Sequence, residues 1–427
     1  MPNKKFSFKR FFKALGPGFI TGAADDDPSG IATYSQTGAQ FGYGQLWIAL
    51  FSYPFMVTVQ EMCGRIGLVT GKGLSGVIKE HYSRKVLYSA VLLLLVANTI
   101  NIGADLGAMA ASVQLVFDIP FAVLLIGITV FTILLEVLVP YPVYAKYLKY
   151  LTFSLVAYII TAFVVGPDWW LVARSVFVPH IIFTKQYLFN IAALLGTTIS
   201  PYLFFWQADE EVEEEIVNHK IRGIGQGAPK INASDITQMR LDTFLGMFFS
   251  NLVTFFVILT VASTLSVANI HQIKTAADAA EALRPFAGDF AFLLFALGIL
   301  GTGLLAVPVL AGSAAYAVSE AFNWNAGLGK RFRQAHGFYG VITIATLIGL
   351  LINFTSIGSM TVLYYAAILN GVLAPPLLIL ILLIGNNKKI LGKNTNSAFS
   401  NYLGITITAI MSLIALALFV NLASANF

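Results

Sequence analysis

The chain has 427 residues, 57% hydrophobic and only 11% charged, with a mean hydropathy of +0.77 and a formal net charge of +5. A soluble domain carries about 25% charged residues, so the balance points to a lipid-embedded protein. The basic residues lie in loops, which argues against nucleic acid as a partner, and the single cysteine, Cys63, rules out an intramolecular disulfide and a thiolate metal cluster.

Stretches of about 20 apolar residues, each long enough to cross a ~30 Å hydrocarbon core, recur along the chain. They predict eleven spans, near 14–38, 45–69, 86–114, 120–138, 145–166, 188–208, 239–265, 287–320, 338–355, 360–385 and 401–423. Segments 167–187 and 266–286 read as short surface helices or loops. A basic N-terminus (Lys4, Lys5, Lys9, Arg10, Lys13) precedes an apolar stretch holding three aspartates, which no cleaved signal peptide would contain. No linker divides the chain, so 1–427 reads as one all-α transmembrane domain.

Charge gives an orientation. With a cytoplasmic N-terminus, all of the 26 Lys and Arg fall on the inside except Arg174, Lys185, Lys274 and Arg284. The expectation is a multi-pass protein of the cell membrane, with lipid as its surroundings; a monomer suffices for this reading.

Spans one and six stand apart. The first is interrupted by Asp25-Asp26-Asp27-Pro28-Ser29-Gly30, the sixth by Gly196-Thr197-Thr198-Ile199-Ser200-Pro201-Tyr202. Proline removes a backbone donor and clashes with the preceding turn, so each X-Pro pair breaks its helix. Broken spans five apart are the sequence pointer to an inverted-repeat transporter with its site at the midplane. The repeats would be about 14–166 and 188–385, with an extra helix at 401–423.

A carboxylate at bilayer depth is costly unless it is paired or wet. Asp25, Asp26 and Asp27 lie about a dozen residues into span one, and no Lys, Arg or His sits at a comparable depth. A bound metal, a proton or water must offset them; alternatively Asp25 and Asp26 only cap the half-helices. Thr197, Thr198 and Ser200 add hydroxyls, and broken backbone adds carbonyls. Oxygen donors without His or Cys select hard ions such as Mg²⁺, Ca²⁺ or Mn²⁺.

Leu15-Gly16-Pro17-Gly18 followed by Asp27-Pro28-Ser29-Gly30-Ile31-Ala32-Thr33 resembles the first-helix motif of the Nramp divalent-metal transporters, usually G-P-x-x…D-P-G-N-x-A-T. Gly196-Thr197-Thr198-Ile199-Ser200-Pro201-Tyr202 resembles their sixth-helix motif, G-A-T-x-M-P-H. The resemblance implies a LeuT-like fold of five plus five helices. It also implies a metal held by Asp27, by the Ala24 and Thr197 carbonyls, and by the residues at positions 30 and 200. Those two positions depart from the family. Gly30 replaces an Asn, and Ser200 replaces a Met whose thioether favours transition metals. Tyr202 stands where the family has His, and of a helix-three acidic pair only Asp105 remains, whether Ile102 or Ala108 takes the other place.

These departures resemble the Nramp-related magnesium transporter branch. The expectation is a carrier of Mg²⁺ and Mn²⁺, not an enzyme, with no cofactor beyond the transported ion and no proton coupling. The alternatives are a proton-coupled Mn²⁺/Fe²⁺ symporter, an organic-substrate carrier of the same fold and a channel. Four further readings concern local features. Asp209-Glu210-Glu211-Val212-Glu213-Glu214-Glu215 reads as a solvated helix face, ahead of a cation-gathering vestibule. Glu61 and Arg65 read as an i,i+4 pair. Asn370 either lines the pathway or joins helices, and Tyr34, Tyr202 and Phe205 near the breaks read as packing aromatics, ahead of gates over the site.

Overall fold

Proline suits the first position of a helix and pushes the residue before it out of the α region. Both predicted breaks obey this rule. The computed structural model describes residues 16–140, 143, 151–182, 184–227, 229–355 and 357–424. Helix α1 (Pro17–Asp25) stops at Asp26, and α2 (Pro28–Phe41) starts after Asp27, which is extended at ψ 169°. There follow α3 (Trp47–Thr70), α4 (Leu74–His81), α5 (Arg84–Gln114), α6 (Phe121–Leu138), α7 (Val156–Val165) and α8 (Trp169–Phe177). The second break separates α9 (Lys185–Thr198) from α10 (Pro201–Val217), with Ser200 extended at ψ 137°. The chain closes with α11 (Ala233–Val261), α12 (Ala291–Phe322), α13 (His336–Ile352), α14 (Ser359–Gly385) and α15 (Ala398–Ser424). No strand occurs among the described residues.

In its described residues, each of the eleven predicted stretches falls mainly on helix. Among the described residues seven helices are long and apolar enough to cross a membrane, or eight if the pair 28–45 and 47–70, bent by 107°, counts as one span. The difference from eleven has a physical origin. A broken first span has only short half-helices to offer, and 153–165 and 336–352 are shorter apolar helices. The basic residues at 4–13, Leu15, Lys146 and Lys149 lie outside the described residues.

Helices meet where side chains are missing. At Gly22 of α1 an added Cβ would stand 2.3 Å from the Gly246 carbonyl of α11; at Gly196 of α9 it would stand 2.1 Å from the Ala367 carbonyl of α14. Small residues at such crossings let membrane helices approach backbone to backbone. Polar side chains then fix the register. Asn101 of α5 and Asn370 of α14 exchange amide hydrogen bonds at 2.9 and 3.2 Å, so Asn370 joins helices. Asn190 of α9 donates to Thr37 (2.8 Å) and Gln45 (2.5 Å) and accepts from Tyr364 of α14 (3.0 Å), a wholly neutral clasp beside the start of α3.

Near the other end of α3, the Glu61–Arg65 pair forms as expected. Buried Arg65 donates to both Glu61 oxygens (3.0 and 3.1 Å), to the Asn394 carbonyl (2.5 Å) and to Asn396 (2.7 Å), while Arg240 of α11 also reaches Glu61 (2.8 Å).

Candidate metal site at the helix breaks

The extended residue before each proline leaves backbone groups outside the helical ladder, and the structure shows where they go. The Ser29 hydroxyl and the Gly30 amide both donate to Asp27 Oδ1, at 2.7 and 2.6 Å. Asp27 is therefore the N-cap of α2, a role for which Asp is favoured. Its second oxygen, Oδ2, faces the Tyr202 hydroxyl at 3.5 Å, and that hydroxyl donates to the Ala24 carbonyl at 3.1 Å. Tyr202 of α10 thus joins the first break to the second. Asp27, Tyr202 and Ala24 are all sealed from solvent.

The three aspartates part company. The Ser250 hydroxyl of α11 donates to Asp25 Oδ2 at 2.5 Å and stands 3.4 Å from Asp26 Oδ1. Asp25 and Asp26 turn toward α11, and Asp27 toward α10. Across the second break, the Ser200 hydroxyl folds back onto the Gly196 and Thr197 carbonyls, at 2.8 and 2.6 Å. It closes the end of α9, leaving the oxygen's lone pairs and one lone pair of the Thr197 carbonyl.

Gly30 does not leave an open space. A Cβ there would stand 3.2 Å from the Tyr34 ring and hydroxyl and 3.3 Å from Thr197 Oγ1, so these side chains occupy the room an Asn would need. Thr198 donates to the Leu194 carbonyl and belongs to the helix instead of the break.

Three neighbours were not among the expected metal ligands, although the resemblance marked Asp105 and Tyr202 as altered proton-relay positions. Asp105 of α5, fully buried, faces Asp27 and the Ser29 amide. Ser250 lies far away in sequence, and Tyr202 read as a packing aromatic. Apart from that resemblance, only the X-Pro breaks gave a signal; the partners of the carboxylates are set by packing. Among the described residues, no three His, Cys, Asp or Glu side chains converge to hold a metal ion. What the breaks offer is one carboxylate oxygen, phenol and serine hydroxyls, and two carbonyls, all hard donors.

One reading fails outright. Within the run 209–215, Asp209, Glu211 and Glu215 are at most 3% exposed, so it is not a solvated face. The run continues α10, against which α3, α12, α1 and α4 pack. Charge density within a segment does not reveal that its neighbours wrap it.

Residues 18–421 match the family described as natural resistance-associated macrophage protein-like, or Nramp. The chain belongs to the Nramp family. Among its relatives, the divalent metal cation transporter MntH of Yersinia pestis is 25% identical over 300 residues, 69% of each chain. That of Erwinia tasmaniensis is 26% identical over 302 residues, 70% of each chain. A manganese transporter of Eremococcus coleocola shares the fold at a TM-score of 0.75 and 16% identity, over 98% of this chain and 88% of the other. The inward-facing form of Mhp1 shares it at 0.55 and 11% identity, over 96% and 91%. The all-helical, LeuT-like architecture expected of an Nramp chain is thereby established.

Proposed function

We propose that this Nramp chain carries hard divalent cations, Mg²⁺ and Mn²⁺, across the cell membrane by alternating access and without proton coupling. Asp27 Oδ2 supports this most directly: it is a buried carboxylate oxygen at a helix break, with the Ala24 carbonyl and the Tyr202 hydroxyl beside it. The ligand set proposed is Asp27, the carbonyls of Ala24 and Thr197, and the Ser200 hydroxyl, with Gly30 giving no side-chain donor. Asp25 and Asp26 add negative charge next to it from their places against Ser250. The relatives named as divalent metal cation transporters support the substrate class. The choice of Mg²⁺ rests on donor chemistry, since Ser200 supplies oxygen where the family has sulfur, and it aligns the chain with the magnesium branch. The N-terminus is placed in the cytoplasm on the Lys and Arg asymmetry. Nothing in this reading calls for catalysis or a resident cofactor.

Selectivity follows from the donors. Millimolar Mg²⁺ should suppress Mn²⁺ uptake into proteoliposomes, and Ser200→Met should shift preference toward Mn²⁺ and Cd²⁺. If a large Mg²⁺ excess leaves Mn²⁺ flux unchanged, the hard-ion reading is wrong.

A second reading, proton-coupled Mn²⁺/Fe²⁺ symport, draws on Asp105, which faces Asp27 and supplies a titratable neighbour. Against it, Tyr202 replaces a His, and a phenol with a reference pKa of about 10 holds its proton at neutral pH. A pH dye inside proteoliposomes separates the two. Uncoupled carriage gives metal uptake with no change in lumenal pH, whereas metal-dependent acidification absent from protein-free vesicles would establish symport.

A further inference from the structure

The buried acidic run of α10 ends at a cavity of about 70 Å³ that the metal site does not use. Five carboxylates line it: Glu211, Glu214 and Glu215 from α10, and Asp235 and Asp242 from the start of α11. One ammonium faces them, and Lys220 is committed to Asp235 at 3.0 Å. Asp242 accepts from the Gly16 and Gly18 amides at 2.9 and 2.7 Å, and Glu211 accepts from Gln207 at 2.9 Å. Glu215 is left over. It is 2% exposed, and neither of its carboxylate oxygens has a hydrogen-bond partner among the described residues.

Carboxylates from both helices converge on one spot. A methyl group on Gly16 would stand 3.2 Å from Asp242 Oδ2 and 3.3 Å from Glu214 Oε2. Like charges gathered in a low-dielectric pocket repel, and an unpartnered buried carboxylate costs several kcal/mol or more unless a cation offsets it. The room available sets the kind of cation. A water takes about 30 Å³ of liquid, so the cavity admits a small ion with part of its water shell. A hard ion that keeps its waters needs only one or two direct carboxylates.

We propose that this cavity is a second cation site, which takes a partly hydrated divalent ion of the Mg²⁺ or Mn²⁺ class. An ion there draws on Asp242, the same carboxylate that holds the first turn of α1. Occupancy and the anchoring of the first half-helix are thus linked through one side chain.

The site is independent of the one proposed at Asp27, so the two can fail separately. The test uses full-length protein in nanodiscs, with bound Mn²⁺ counted by electron paramagnetic resonance. The unaltered chain should hold two ions and Asp27→Ala one. Glu211→Gln/Glu215→Gln should also hold one, and the combined variant none. Unchanged Mn²⁺ binding on adding Glu211→Gln/Glu215→Gln to either background overturns the proposal. A measurement that needs no change in the cavity guards against misfolding of that pair. Mn²⁺ should raise the melting temperature of the Asp27→Ala protein, and the absence of any Mn²⁺-dependent shift there overturns the proposal as well.

Discussion

Asp27→Ala should reduce Mn²⁺ and Mg²⁺ uptake to the level of protein-free liposomes, in a protein that still folds. Two roles meet in this residue. Oδ1 caps α2 through Ser29 and Gly30, and Oδ2 faces Tyr202 and the path between the breaks. Losing an N-cap costs about 1 kcal/mol, which a chain of this size survives. Losing the charge removes the carboxylate that faces α10 across the joint, since Asp25 and Asp26 turn to Ser250 of α11. Asp27→Asn separates the roles, because an amide oxygen still accepts from the two donors while carrying no charge. Transport should be lost in both variants, with the Asn form melting higher than the Ala form. Normal uptake by a folded Asn variant would confine Asp27 to capping and remove the proposed ion site.

Gly22→Val should abolish recovery of folded protein. The crossing of α1 and α11 is a backbone-on-backbone contact, with the position of a Cβ on Gly22 only 2.3 Å from the Gly246 carbonyl and 2.8 Å from its Cα. No rotamer change relieves a clash with main chain, so the helices must separate. Overpacking a tight core costs on the order of 3 kcal/mol, and here it would also pull Asp25 and Asp26 from Ser250. Gly44, where nothing lies within 4 Å of an added Cβ, is the control and should accept alanine without loss. A monodisperse Gly22→Val protein with unchanged melting temperature would show that this crossing is looser than the geometry implies.

The helix breaks were legible because their signals are local. Proline disfavours the α region for the residue before it. At 27/28 and 200/201 neighbouring Gly and Ser tolerate the open backbone, whereas Pro54, Pro308, Pro375 and Pro376 stay inside helices. The Glu61–Arg65 pair was legible for the same reason, being one turn apart. What lay beyond the sequence is what distant helices bring. Ser250 sits more than 220 positions from Asp25, and Tyr202 nearly as far from Ala24, so no spacing rule links them. The run at 209–215 misled for the converse reason. Its composition is that of a wet surface, and only the packing of helices such as α3 and α12 against α10 shows that Asp209, Glu211 and Glu215 are enclosed. Gly30 shows the limit of reading by replacement: glycine brings no side chain, yet Tyr34 and Thr197 fill the space beside it.

The clasp around Asn190 contains no charged group, while near the far end of α3 lie Arg65, Glu61 and Arg240, with Lys72 bonded to Glu80 beyond. Dissolved salt shortens the reach of charges, to about 10 Å at 0.1 M, and leaves hydrogen bonds between neutral amides and hydroxyls almost untouched. The protein is therefore asymmetric toward its bathing electrolyte. In a sealed vesicle, raising ionic strength on the compartment facing that end should weaken the exposed Arg240–Glu61 and Lys72–Glu80 pairs while sparing buried Arg65, whereas the same change on the opposite side finds nothing in the clasp to screen.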